Sequence, residues 1–200
     1  MNQLLKKLVI DTATKHIYLS LVIDGLEKQS IYQEGINNHS VTIIPLLDRM
    51  LNEENIGLKD LDEIIVGIGP GSYTGVRIGV TVAKMIGYLN DIKVYTISSL
   101  ALIASSSDNE YILPYIDARR GNAFMAMFKQ CDGMLQRIEE DCLEKIEDYR
   151  EKHQIDYDFI TDGKPKIQKI LTSKLLEEVS NIHELKPNYL RITEAERNLK

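Results

Sequence analysis

Gly69-Pro70-Gly71-Ser72-Tyr73-Thr74-Gly75-Val76-Arg77-Ile78-Gly79 is the stretch whose reading decides the fold of this chain. It follows an apolar run, residues 63–68, that reads as a strand buried on both faces through Ile64-Ile65-Val66. It precedes an expected helix over residues 76–89. A strand–glycine loop–helix junction exposes backbone N–H groups that can hold an anion. The loop nevertheless misses the phosphate-loop pattern, which needs a Lys followed by Ser or Thr. It also misses the dinucleotide register, where the third glycine would fall at Thr74. Gly75 and Gly79 lie four residues apart and leave one helix face bare, with Gly87 two turns further on. A bare face lets another helix approach closely. Packing is therefore the preferred reading over phosphate chemistry.

Outward from the loop, residues 4–10 read as a strand ending in Asp11-Thr12-Ala13-Thr14. Residues 16–23 form a second strand, with Ile17, Leu19 and Leu21 alternating with Tyr18 and Ser20. Asp24-Gly25 is a hairpin turn, and residues 26–33 return as a third strand. A helix over residues 41–52, capped by Asn38 or Ser40, carries Val41, Ile44, Leu47 and Leu51 at helical spacing. Ile43, Leu46 and Met50 widen that stripe beyond what one sheet face needs. Pro45 kinks this helix or marks its first turn. Residues 58–64 read as a short helix or turn. Residues 93–97 form a strand, Ser98-Ser99 a cap, and residues 100–104 a helix. The second half reads as strands 112–116, 122–129 and 135–141, a helix 146–152, a strand 157–161 and a charged helix 166–179. The composition shift at residues 105–109 marks a lobe boundary.

The chain has 200 residues, 44% of them hydrophobic, which is enough for a sizeable core. Its formal charge of −6 opposes a broad phosphate-neutralising surface. Cys131 and Cys142 form no CxxC pair, so two ordinary thiols are the simpler expectation and a disulfide the alternative. The apolar run Leu8-Val9-Ile10 is too short for a signal peptide, and no segment approaches a membrane span of about 18 apolar residues. A cytoplasmic protein is expected.

Asp11, at a strand end, fits a metal-bound nucleotide or simply the adjacent turn, and Thr12 and Thr14 suit either. His16, His39, His153 and His183 form no HxxxH or HExxH pair, so no metal site is expected. His39, just before the first long helix, suggests a cap or an interface. Asp117-Ala118-Arg119-Arg120 fits an RNA or other anion contact, and equally an internal Asp–Arg pair.

Leu8-Val-Ile-Asp11-Thr12-Ala-Thr14, His39-Ser40, the loop through Gly79, Ala83-Lys84, Ser98-Ser99-Leu100, Asp117-Ala-Arg-Arg120 and Pro187-Asn-Tyr-Leu-Arg191 together resemble the TsaB (YeaZ) family. Order and spacing match along nearly the whole chain, and the glycine loop is the most specific segment. The resemblance implies an α/β, two-lobed actin-like ATPase (ribonuclease H-like) fold with mixed sheets flanked by helices. The lobes would be residues 1–104, completed by the tail 185–200, and residues 105–184. It implies a non-catalytic subunit that binds and activates TsaD, with TsaE joining, for threonylcarbamoyl transfer to adenosine 37 of tRNAs reading ANN codons. Contact with tRNA would be indirect. The family also self-associates through the same face. His39, Ile44, Leu47, Leu51, Gly75, Gly79, Ala83 and Gly87 are the expected interface. No cofactor of its own is implied. ATP or ADP would lie at the TsaD junction, against Asp11, Thr12, Gly69 and Gly71. Asn122 and Phe124 depart from the family pattern, and the second lobe is short. The alternative function is an ATPase or small-molecule kinase acting alone through Asp11. A metallopeptidase is a third reading.

Overall fold

Leu8, Val9 and Ile10 are all fully buried because their strand lies in the middle of a six-stranded sheet. The structure, a computed structural model, describes residues 4–35 and 39–190. Strands β1 (Lys6–Asp11), β2 (His16–Ile23) and β3 (Leu26–Glu34) form the expected antiparallel meander. Strands β4 (Glu63–Gly67) and β5 (Lys93–Ile97) continue the sheet parallel to β1. Successive side chains of a strand point to opposite faces. Leu8 and Ile10 therefore meet helices α1 (His39–Glu53) and α2 (Tyr73–Asn90) on one face. Val9 meets α3 (Ser99–Ala104) and a second sheet on the other.

The second sheet holds β6 (Tyr111–Asp117), β7 (Asn122–Cys131), β8 (Met134–Lys145) and β9 (Asp158–Ile160) in the order β8-β7-β6-β9. Its outer face carries α4 (Ile146–Lys152), anchored by buried Tyr149. Its inner face shares the core of Val9, Ile65 and Ile97, adding Phe124, Ala126 and Phe128.

The expected long helix over residues 166–179 is corrected. Its helical part is α5, Ile167–Leu171, which ends where Thr172 Oγ1 donates to the Gln168 carbonyl at 3.0 Å and Ser173 Oγ to that of Ile170 at 2.7 Å. Side-chain hydroxyls that compete for helical carbonyls favour termination. The chain then forms β10 (Glu177–Glu178), which occupies the otherwise open edge of β5. The return to the first sheet thus begins at Glu177, inside the expected second lobe of residues 105–184. Helix α1 begins at His39, with Ser40 inside its first turn; the expected cap Asn38 lies outside the described residues, as do Arg191 and the rest of the tail. Both cysteines are free thiols.

Candidate docking face

Asp11, Thr12, the glycine loop and Ser99 converge at the end of β1. Ser99 Oγ donates to Asp11 Oδ1 at 2.7 Å and accepts from Gly69 N at 3.1 Å. Thr12 Oγ1 donates to the Gly75 carbonyl at 2.7 Å and accepts from Gly79 N at 3.0 Å. These bonds need backbones in near contact. A Cβ at Gly75 would stand 2.1 Å from the Thr12 carbonyl oxygen, and one at Gly71 2.3 Å from that of Ala13. The tail closes over the loop, since Asn188 N donates to the Ile68 carbonyl at 2.7 Å. Thr12 is fully buried, Gly69 is buried, and Asp11 is 6% exposed. Of the expected nucleotide contacts, Asp11 and Gly69 bond Ser99 and Thr12 bonds Gly75 and Gly79, while Gly71 is half-buried.

Burial raises the Asp11 carboxyl to about 6, against the lowering effect of its bonds from Ser99 and the Ala13 and Thr12 backbone. An acid raised in the folded state contributes stability that is full below its unfolded value near 3.8 and is lost as pH rises through about 6. The loss is on the order of 3 kcal/mol. Asp11→Asn keeps an oxygen for Ser99 and removes the charge. Its melting temperature should vary less than the wild type's between about pH 4 and 7 and be at least as high at neutral pH. A thermal melt series checks this; a curve parallel to wild type contradicts it.

The small residues of α2 also turn inward. A Cβ at Gly79 would lie 2.6 Å from Thr12 Oγ1, and one at Gly87 2.6 Å from Val94 Cγ2. Ala83 is fully buried. The stripe admits strands β1 and β5 of the same chain, not a partner's helix. Leu47 and Leu51 of α1 are likewise 4% exposed in the same core. Gly75, Gly79, Ala83, Gly87, Leu47 and Leu51 are thus corrected from interface to core. What remains outside includes large apolar side chains, Val41 (61% exposed) and Ile44 (52%) on α1 and Met85 (56%), Tyr88 (59%) and Leu89 (72%) on α2, among polar Asp48, Arg49, Thr74 and Thr81.

Between the two helices runs a groove of about 440 Å³ floored by Ile43, Ile78 and Val82 and rimmed by Tyr73, Arg77 and Thr81. Its rim is organised by ring contacts. Arg77 lies 5.3 Å from the Tyr73 ring centroid and bonds its hydroxyl at 3.0 Å, and Tyr189 from the tail stacks on Tyr73 at 4.8 Å. Further along, Lys84 Nζ holds the His183 carbonyl at 2.7 Å. A second cavity, of about 640 Å³, opens where α1 and α2 both begin, lined by Thr14, Lys15, His39, Ser40, Ser72 and Thr74. His39 is half-buried there, its Nε2 3.2 Å from the Thr14 carbonyl, which ties α1 to the β1–β2 turn. Among the described residues no three His, Cys, Asp or Glu side chains converge to hold a metal.

A protein-family model described as TsaD, tRNA N6-adenosine threonylcarbamoyltransferase, matches residues 26–193. The tRNA threonylcarbamoyladenosine biosynthesis protein TsaB of Bacillus subtilis (strain 168) is 30% identical over 94% of this chain and 95% of its own length. This chain belongs to the TsaB (YeaZ) family. TsaB of Escherichia coli (strain K12) is 29% identical over 62% of the chain and 54% of its own length. The solved structure of YeaZ from Pseudomonas aeruginosa superposes with a TM-score of 0.78 over 93% of this chain and 100% of that one. At 21% identity that likeness speaks for the fold: mixed α/β, two mixed sheets flanked by helices, the actin-like arrangement.

In this TsaB-family chain the structure leaves Ile44 alone, of the expected interface residues, on an open surface beside half-buried His39. Tyr73, Arg77, Met85, Tyr88, Leu89 and Tyr189 were not expected at the site. A signal for the α2 members was available. On a helix, the face opposite a glycine stripe is the one left to meet solvent or a partner.

Proposed function

We propose that this chain is the non-catalytic subunit that binds and activates TsaD for threonylcarbamoyl transfer to adenosine 37 of tRNAs reading ANN codons. Family membership supports the pathway. The observation that carries the role is the apolar α1–α2 face with its open groove, set against an Asp11 cluster closed upon itself. An exposed apolar patch rimmed by polar residues marks an interaction site. TsaD would dock there, TsaE would join the pair, and two copies would pair through the same face when TsaD is absent. Any ATP or ADP at the junction would meet Lys15, His39 and Ser72 in the larger cavity rather than Asp11. The setting is the cytoplasm; among the described residues no helix is long and apolar enough to cross a membrane.

The test is reconstitution with purified TsaD, TsaE, the threonylcarbamoyl donor and tRNA. Co-elution with TsaD and loss of tRNA modification when this chain is omitted are expected. Equal modification without it, or transfer by this chain alone, would overturn the reading.

A further inference from the structure

The turn between β6 and β7 places three successive residues in the left-handed region: Arg119 (φ 69°), Arg120 (φ 58°) and Gly121 (φ 76°). Glycine adopts it freely; two arginines do so at a cost that the surroundings must offset. Here they are heavily tied. Asp117 Oδ1 accepts from Arg119 N at 2.7 Å, and Asn122 Nδ2 donates to the carbonyls of Arg119 at 3.3 Å and Arg120 at 3.2 Å. Ile146 N, at the start of α4, donates to the Gly121 carbonyl at 3.1 Å. The Asp117 carboxylate is thus spent on the backbone, not on an arginine side chain. Arg119 and Arg120 are both exposed. The arginine ion pairs among the described residues are those of Arg49 and Arg137, so both guanidinium groups of the turn stand unpaired.

Beside the turn lies a layered set of rings. Tyr115 stacks on Phe159 with centroids 4.1 Å apart and planes inclined by 12°. Tyr157 meets Phe159 edge-on at 6.4 Å, and the Arg150 guanidinium lies 5.3 Å from the Phe159 centroid. Tyr115 and Asp117 share one face of β6, which ends at Asp117, and Arg119 follows two residues later in the turn. Tyr115 and Arg119 therefore lie within about 13 Å of each other, four residues at about 3.3 Å each being the upper bound. Unpaired arginines select phosphate, whose oxygens match the planar fork. Tyr115, Tyr157 and Phe159 are half-buried against the outer face of the sheet while Arg150 is exposed, and aromatic edges and arginine planes left open beside such a stack receive unstacked bases.

We propose that this turn and the Tyr115–Phe159–Arg150 stack contact a single-stranded stretch of RNA, with Arg119 and Arg120 on phosphates and the stack against an unpaired base. The proposal rests on the complex described above, which brings an RNA to this chain. The basic area is narrow. Glu147 and Asp148 occupy the first turn of α4, and the whole chain carries −6. The contact therefore adds to RNA binding by the assembly and does not support tight binding by the free chain.

The test uses the assembled complex of this chain with TsaD and TsaE, and labelled tRNA titrated at several salt concentrations. The double variant R119Q/R120Q should weaken tRNA binding about 10-fold and lower the slope of log affinity against log salt by about 1.4–1.8, the share of two phosphates. R119K/R120K should keep the slope, and both variants should melt and co-elute with TsaD as wild type does. R150Q should weaken binding with a smaller change in slope. Unchanged affinity and slope for R119Q/R120Q in an intact complex overturns the RNA contact alone. Loss of co-elution with TsaD, at unchanged tRNA affinity of the complex recovered, assigns the arginines to an acidic protein surface and overturns it too. Failure of the wild-type chain to co-elute sinks the complex reading and this one with it.

Discussion

Gly79→Leu is expected to destabilise the free protein by about 3 kcal/mol or more, the upper end of what overpacking a core costs. For a chain of this size that lowers the melting temperature by roughly 6–12 °C. Even a methyl at Gly79 would press to 2.6 Å from Thr12 Oγ1, and the larger side chain would push α2 off β1. The Thr12 bonds to Gly75 and Gly79 would be lost with it. Thermal or urea unfolding of the isolated chain measures the effect. A variant that melts like wild type yet fails to bind TsaD would restore the glycine stripe to the interface and contradict the packing described.

Ile44→Asp should do the opposite. Ile44 is 52% exposed in the free chain, so the melting temperature should stay close to wild type. Docking would bury an unpaired carboxylate in an apolar contact, which costs several kcal/mol. Affinity for TsaD should fall at least about 100-fold, and tRNA modification in the reconstituted assay should fall with it. Calorimetric or surface-based titration of TsaD reads the affinity. Full binding by a correctly folded Ile44→Asp chain would place the docking face elsewhere. The pair of variants separates fold from interface: one breaks the monomer, the other the assembly.

Much of the first lobe was legible in the sequence because its signals are local. The Asp24-Gly25 hairpin, the alternation along residues 16–23 and the strand over residues 93–97 each need a few neighbouring residues, and each element forms where expected. Residues 166–179 were not legible. A run of charges with spaced leucines fits a helix, but the unpaired edge of β5 captures Glu177–Glu178 as a strand. A free sheet edge 81 residues back in the chain, at Thr96, leaves no mark on the local pattern.

The glycine loop divides the same way. By itself the sequence determined that a strand, a glycine-rich turn and a helix stand in succession, and that the chain belongs with TsaB. It also determined that the helix carries a face without side chains. Periodicity says which residues share a face; it does not say what that face meets. The tertiary structure alone decided that Gly75 and Gly79 press against Thr12, that Asp11 is enclosed by Ser99, and that the open surface is the opposite one, carrying Arg77 and Met85. The reason is distance along the chain. Thr12 lies 63 residues from Gly75, and Asp11 88 from Ser99. Contacts at that separation are set by how the sheet is assembled.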